Sequence, residues 1–325
     1  MTALAPLSPF VAADPKALDP AKFRDPLTTA KGEARASVAL TGLDTLWFNT
    51  GTLCNIACLN CYIESSPKND ALSYITAAEV EAYLDEIASL ALPTREIGFT
   101  GGEPFMNREI IAMISAALDR GFEALVLTNA MRPMRRFDSE LLALRQQHGA
   151  RLTLRISLDH PTAAVHDAER GEGSFDITLD GLTWLARQGF SLAVAGRHLP
   201  HENEADARAA FQRLFDASAI PIDAYDPSRL MLFPEMDVRV DVPEITTACW
   251  SILGKSPADV MCASSRMVVK RRGADRPAVL SCTLLPYDPQ FELGPTLADA
   301  LEPVALNHPH CAKFCVLGGA SCSAR

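Results

Sequence analysis

Between about residues 43 and 240, short apolar runs alternate with stretches whose apolar residues recur at helical spacing. That alternation predicts repeated βα units and a parallel sheet. Six strands are expected, over 45–50, 96–100, 123–128, 151–158, 191–195 and 229–233. The helical stretches carry their own start and stop signals. Thr76 followed by Glu79 forms a capping box, and Val80, Tyr83, Leu84 and Ile87 then define one apolar face. Ile110, Ile111 and Ile114 repeat the pattern before Gly121, and a third helix over 175–188 ends at Gly189. Six units are too few for a closed eight-stranded barrel, so the fold class is α/β, a partial (β/α)6 barrel or an open sheet.

The flanks break this rhythm. Residues 1–42 contain several prolines and little periodicity, which reads as an N-terminal extension. Residues 241–325 lose the βα alternation, and 267–270 with 278–280 read as a β-hairpin around Gly273. Lys270, Arg271 and Arg272 then fall at a solvated hairpin tip. The first residues lack the basic and apolar regions of an export signal, and no apolar run reaches the roughly 18 residues a membrane helix needs. A cytoplasmic protein with no membrane span is expected. The formal net charge of −10 argues against a general nucleic-acid or anionic-membrane partner, since both need a basic face.

Nine cysteines are many for a chain expected in a reducing compartment, which points to metal or redox chemistry. Cys54, Cys58 and Cys61 follow the first strand, and Cys249, Cys262, Cys282, Cys311, Cys315 and Cys322 gather in the last 80 residues. Three closely spaced thiolates can hold three irons of a [4Fe–4S] cube and leave the fourth open to a ligand. Zinc generally takes four ligands, and the first loop shows no obvious fourth. The second strand ends in Gly98-Phe99-Thr100-Gly101-Gly102-Glu103-Pro104, the third in Thr128-Asn129 and the fourth in Ser157-Leu158-Asp159, and Arg197 follows the fifth. In parallel βα arrays ligands collect at these carboxyl ends.

The three-cysteine loop after one strand and the Gly-Gly-Glu-Pro segment after the next resemble the radical S-adenosylmethionine (SAM) superfamily. The resemblance covers about residues 43–322. It implies a radical SAM core over 43–240 and a [4Fe–4S] cluster on Cys54, Cys58 and Cys61 whose open iron is chelated by the SAM amino and carboxylate groups. It implies SAM ammonium contacts around Gly101, Gly102, Glu103 and Pro104. Asn129, Ser157, Asp159 and Arg197 would supply polar contacts to the SAM carboxylate or ribose. Many members place an aromatic residue just before the last cysteine; here Asn60 stands there, and Tyr62, just after it, is the candidate for the adenine pocket. The segment 159–175, with His166, Arg170 and Gly171, is similar to members that act on peptides or complex metabolites.

The cysteine-rich region 241–325 resembles SPASM/twitch extensions, which carry auxiliary iron–sulfur clusters. Cys262, Cys282, Cys311 and Cys315 are the first choice of ligands for one auxiliary [4Fe–4S] cluster, with Cys322 close behind. Cys249, beside Trp250, is a further ligand or hydrogen-atom donor. A four-thiolate zinc site, with His308 and His310 nearby, is the alternative.

The implied activity is reductive cleavage of SAM to a 5′-deoxyadenosyl radical that abstracts a substrate hydrogen, in oxidative modification of a peptide or protein. A small-molecule dehydrogenation or rearrangement competes with it, and a non-catalytic iron–sulfur electron carrier or sensor is the reading from another class. A low-potential donor of flavodoxin or ferredoxin type is the implied redox partner.

Overall fold

The computed structural model describes residues 8–11 and 15–319. Six strands form where the pattern places them: β1 (Thr45–Asn49), β2 (Glu96–Thr100), β3 (Glu123–Thr128), β4 (Leu152–Ser157), β5 (Ser191–Gly196) and β6 (Leu230–Leu232). They lie side by side in chain order with every neighbouring pair parallel. The main connecting helices are α1 (Ala77–Ser89), α2 (Ile110–Asp119), α3 (Asp138–His148), α4 (Ala163–Arg170), α5 (Ser174–Arg187) and α6 (Glu204–Ala217). α1 begins at the expected box: Glu79 N donates to Thr76 Oγ1 at 3.2 Å, and Thr76 N donates to Glu79 Oε2 at 2.9 Å.

The strand period of two sorts the core into two layers. Leu46 and Phe48 of β1, Ile97 and Phe99 of β2, and Ala124 and Val126 of β3 pack under α1 and α2, with Phe48 and Phe99 stacked at 6.0 Å. Trp47 of β1 and Leu125 of β3 face the other way, into a second cluster built with Val260, Phe291, Val304 and Phe314 of the C-terminal region. Burial on both faces explains why these strands read as nearly continuous apolar runs.

The C-terminal region also extends the sheet. β7 (Ser265–Val269) pairs parallel with β1, Thr45 opposite Ser265. β8 (Ala278–Leu280) then pairs antiparallel with β7, and β9 (Glu292–Gly294) with β8. The expected hairpin therefore exists, but its first strand is a seventh parallel strand that covers the edge of β1. The nine-stranded sheet runs β9-β8-β7-β1-β2-β3-β4-β5-β6 and stays open, since no pairing joins β9 to β6 among the described residues.

Two expectations gain detail. Lys270, Arg271 and Arg272 do not form a bare tip; they pair with Glu79, Glu292 and Asp70 at 2.6 to 2.7 Å, tying the hairpin to α1 and its neighbours. The N-terminal extension is likewise anchored from residue 15 onward. Ser37–Val38 pairs antiparallel with Val304–Ala305, and the buried Arg35 reaches Glu244 at 2.5 Å. No helix among the described residues is long and apolar enough to cross a membrane.

Within the sheet, Gly98 of β2 lies directly opposite Trp47 of β1, and a Cβ at Gly98 would stand 2.3 Å from a carbon of the fully buried indole. Gly98→Ala is therefore expected to lower stability by about 1–3 kcal/mol, read as a lower urea midpoint with an unchanged slope.

Candidate functional site: two adjoining cavities

After β1 the chain runs against the end of β2 before reaching Cys54. Thr50 N donates to Thr100 O at 2.8 Å, Gly102 N to Gly51 O at 2.7 Å and Glu103 N to Leu53 O at 3.1 Å. This backbone contact has no room for side chains. A Cβ on Gly102 would lie 2.2 Å from Leu53 O, and one on Gly101, whose φ is +149°, would lie 2.6 Å from Gly51 O. The two glycines therefore set the position from which the cysteine loop departs.

That loop lines a cavity of about 1160 Å³ at the carboxyl ends of β1 to β6. Cys54, Cys58 and Cys61 share its wall with Tyr62, Gly101, Gly102, Asn129, Ser157, Asp159 and Arg197. Seven of the nine non-cysteine positions proposed from the sequence thus converge with the three thiols on one wall. Glu103 and Pro104 do not reach the lining. Both are buried behind it, where Glu103 accepts hydrogen bonds from Thr128 Oγ1 (2.8 Å), Asn129 N (2.9 Å) and Phe105 N (3.2 Å). Glu103 thereby braces the ends of β2 and β3, and Asn129 in turn donates from Nδ2 to Asn55 Oδ1 of the cysteine loop at 2.9 Å.

Asp159 and Arg197 belong to an ionic network as well as to the wall. Arg170, at the end of α4, donates to Asp159 through Nε (2.6 Å) and Nη2 (3.1 Å). Arg197 lies 3.5 Å from Asp159 and 3.3 Å from Glu235, and its guanidinium stands 5.2 Å from the centre of the Tyr62 ring. Burial pushes the Asp159 carboxyl up, but the two guanidiniums outweigh it and hold the group down at about 2. Glu169 fastens the loop itself: its backbone carbonyl accepts from Leu59 N and its Oε1 from Asn60 N, each at 2.9 Å. His166 is driven down to about 4 by burial, and its Nδ1 accepts from Asp159 N at 3.2 Å as a neutral ring. Burial also raises the Cys54 thiol to about 12 and Cys58 to about 11.

Arg170, Glu169 and Glu235 were not among the sequence-derived site positions. Glu235 stands just past β6, so the rule that ligands gather at strand ends could have found it. Glu169 and Arg170 sit at the end of a helix, where that rule is silent.

A second cavity of about 380 Å³ adjoins the first, with Leu284 lining both. Cys262, Cys282, Cys311 and Cys315 line it together with His310, in a wall otherwise mostly apolar. Burial raises the Cys262 thiol to about 11 and pushes Cys311 higher still. Cys249 lines neither cavity; its Sγ lies against Thr246 N and Oγ1, at 3.4 and 3.5 Å. Cys322 lies outside the described residues.

The family model of the radical SAM superfamily matches residues 48–214, just over half of the chain. The chain belongs to the radical SAM superfamily. The antilisterial bacteriocin subtilosin biosynthesis protein AlbA of Bacillus subtilis is 33% identical over 143 residues, 44% of this chain and 30% of AlbA. The AdoMet-dependent heme synthase of Nitratidesulfovibrio vulgaris is 30% identical over 142 residues, 43% of this chain and 36% of the synthase. The chain thus spans about a third of the length of these relatives. Streptococcus suis SuiB bound to its precursor peptide SuiA has the same fold: TM-score 0.56 at 11% identity, over 81% of this chain and 66% of that one. Membership of the superfamily carries with it a [4Fe–4S] cluster and SAM as cofactors.

Two measurements test the architecture of the wall. Gly102→Ala forces a Cβ into the Leu53 carbonyl, so a loss of about 1–3 kcal/mol in urea unfolding is expected. Glu103 is pushed up to about 7 by burial, against the three hydrogen bonds that favour its ionised form. Its folded pKa thus exceeds the ordinary 4.5, so the stability it contributes is full below pH 4.5 and is lost as pH rises through 7. Relative to Glu103→Gln, which cannot ionise, the wild type should lose about 1–3 kcal/mol across that window.

Proposed function

We propose that this chain is a peptide-modifying radical SAM oxidoreductase with a catalytic and an auxiliary [4Fe–4S] cluster. The observation that carries the reading is the meeting of three thiols, two side-chain-free glycines and a polar rim in one cavity. The residues present fit the cofactors. Cys54, Cys58 and Cys61 offer three thiolates, which leaves one iron of a cube open. The Ser65 hydroxyl, also on the wall, is buried without a hydrogen-bond partner, as expected of a group that faces a bound polar ligand.

Bound in this cavity, the cluster and SAM supply a single electron and a carbon radical able to take hydrogen from a C–H bond. The chain's own residues bind and orient. Gly101 and Gly102 bring backbone acceptors to the SAM ammonium, with Glu103 and Pro104 fixing that turn from behind. Asn129, Ser157, Asp159 and Arg197 meet the carboxylate and ribose, and the Arg170–Asp159 pair keeps Asp159 ionised for that task. Tyr62, held by its hydroxyl to Pro234 O at 3.1 Å, offers a ring face to the adenine.

The four thiols of the second cavity are a full ligand set for one auxiliary cluster. They line a hollow, and among the described residues no three metal-ligating side chains converge on a single-ion position. Leu284 lines both cavities, so a cluster held by these four thiols would lie near the first site and would supply an electron acceptor for an oxidative net reaction. A flavodoxin- or ferredoxin-type donor then serves the first cluster.

The peptide assignment draws on AlbA and on the peptide-bound SuiB structure, while the heme synthase relative keeps a small molecule as the second reading. Glu235, paired with Arg197 of the first cavity, also lines a neighbouring hollow with Phe10, His198, Pro234 and Asp237.

Anaerobic reconstitution, iron counting and a dithionite-driven 5′-deoxyadenosine assay test the proposal. About eight irons and deoxyadenosine formation are expected of the wild type. Replacing Cys54, Cys58 and Cys61 by Ala should leave about four irons and no product; replacing the four second-cavity cysteines should leave about four irons with SAM cleavage retained. Iron binding without SAM cleavage in the wild type would move the chain to the electron-carrier class.

A further inference from the structure

Arg266, the second residue of β7, is 1% exposed and has no acidic partner among the described residues. Its Nε donates to Ala300 O at 2.8 Å, and Nη1 to Cys262 O at 2.6 Å and Ser265 O at 2.8 Å. Nη2 is buried with no hydrogen-bond partner. Three other arginines with little exposure are ion-paired. Arg35 reaches Glu244, Arg170 reaches Asp159, and Arg197 has Asp159, Glu169 and Glu235 within 3.3 to 3.7 Å.

A guanidinium stays protonated in proteins, and an unbalanced buried cation costs several kcal/mol. Arg266 Nη1 holds the backbone carbonyl of Cys262, a proposed ligand of the second cavity. A cysteine ligates a metal as a thiolate, so metal binding there brings negative charge to the neighbourhood of this unbalanced cation. Arg266 does not itself line that cavity, whose wall beyond the four cysteines is mostly apolar, with Ser281 and His310 as its polar members.

We propose that Arg266 is the fixed countercation of the auxiliary cluster, stabilising its anionic thiolate shell and raising its reduction potential. The inference rests on the assignment of the second cavity to a [4Fe–4S] cluster. A thiolate-bound cube gains one negative charge on reduction, so a fixed positive charge beside it favours the reduced state. That bias suits a cluster that accepts an electron from the neighbouring cavity. Arg266 acts through the Cys262 backbone and the local field, and is a positioning and tuning residue rather than a catalytic one.

The test uses the full chain with Cys54, Cys58 and Cys61 replaced by Ala, so that only the auxiliary cluster is present. Its midpoint potential is measured by anaerobic spectroelectrochemical titration, with iron and zinc counted on each sample. In Arg266→Gln and Arg266→Met the potential should move to more negative values, while Arg266→Lys, which keeps the charge, should stay near the parent. If both neutral variants lose their iron and Arg266→Lys retains it, the countercation role stands, since Lys keeps the charge but not the three carbonyl contacts. An unchanged or more positive potential in the neutral variants, or equal loss of iron in all three, would overturn it and leave Arg266 a structural residue. Zinc, or no metal, in the Arg266-containing parent would instead overturn the cluster assignment itself.

Discussion

Everything in the first cavity hangs on the backbone contact between residues 50–53 and Gly101-Gly102. The cysteine loop can be aimed only if the segment leading into it is fixed, and that segment is held by hydrogen bonds from Thr50, Gly102 and Glu103. Any side chain at residue 102 would collide with Leu53 O at 2.2 Å, so the contact exists because glycine is there. Glu103 then transmits the position of β2 to β3 through Thr128 and Asn129, and Asn129 returns it to the cysteine loop through Asn55. The loop is thus braced by the ends of the two strands that come after it, β2 and β3.

The same economy governs the sheet. Its helix-covered face is an ordinary α/β core, whereas the opposite face is covered by the C-terminal region, which also adds β7, β8 and β9 at the β1 edge. This wrapping brings Thr283, Leu284 and Phe314 to the first cavity and Cys262, Cys282, Cys311 and Cys315 to the second. Two sites of opposite electrostatic character result: the first is crossed by the Arg170–Asp159–Arg197 network, and the second is apolar with one buried cation beside it.

Much of this was legible in the sequence because it is local. Strand and helix bounds followed from period and caps, and the cysteine loop, the glycine pair, Asn129, Ser157, Asp159 and Arg197 all stand directly after strands. The two partners of β1 illustrate the limit. β2 follows one βα unit later, but β7 pairs with β1 from 220 residues away (Thr45 opposite Ser265), and no periodicity encodes that. Glu169 and Arg170 were missed because their role depends on how α4 lies against the loop. Glu103 reads as a ligand from its motif, and the structure adds that its carboxyl group is buried on Thr128 and Asn129 behind the lining, since burial is not visible in a motif. Arg266 looks like an outward polar residue in an apolar strand, and only packing reveals it as an interior charge.

The central claim is that one chain holds two distinct iron–sulfur sites, only the first of which binds SAM. Electron paramagnetic resonance of the anaerobically reconstituted, reduced protein with and without SAM tests this directly. The account predicts two separable [4Fe–4S] signals, one of which shifts when SAM is added while the other does not. A single signal, or two signals that SAM leaves unmoved, would contradict it.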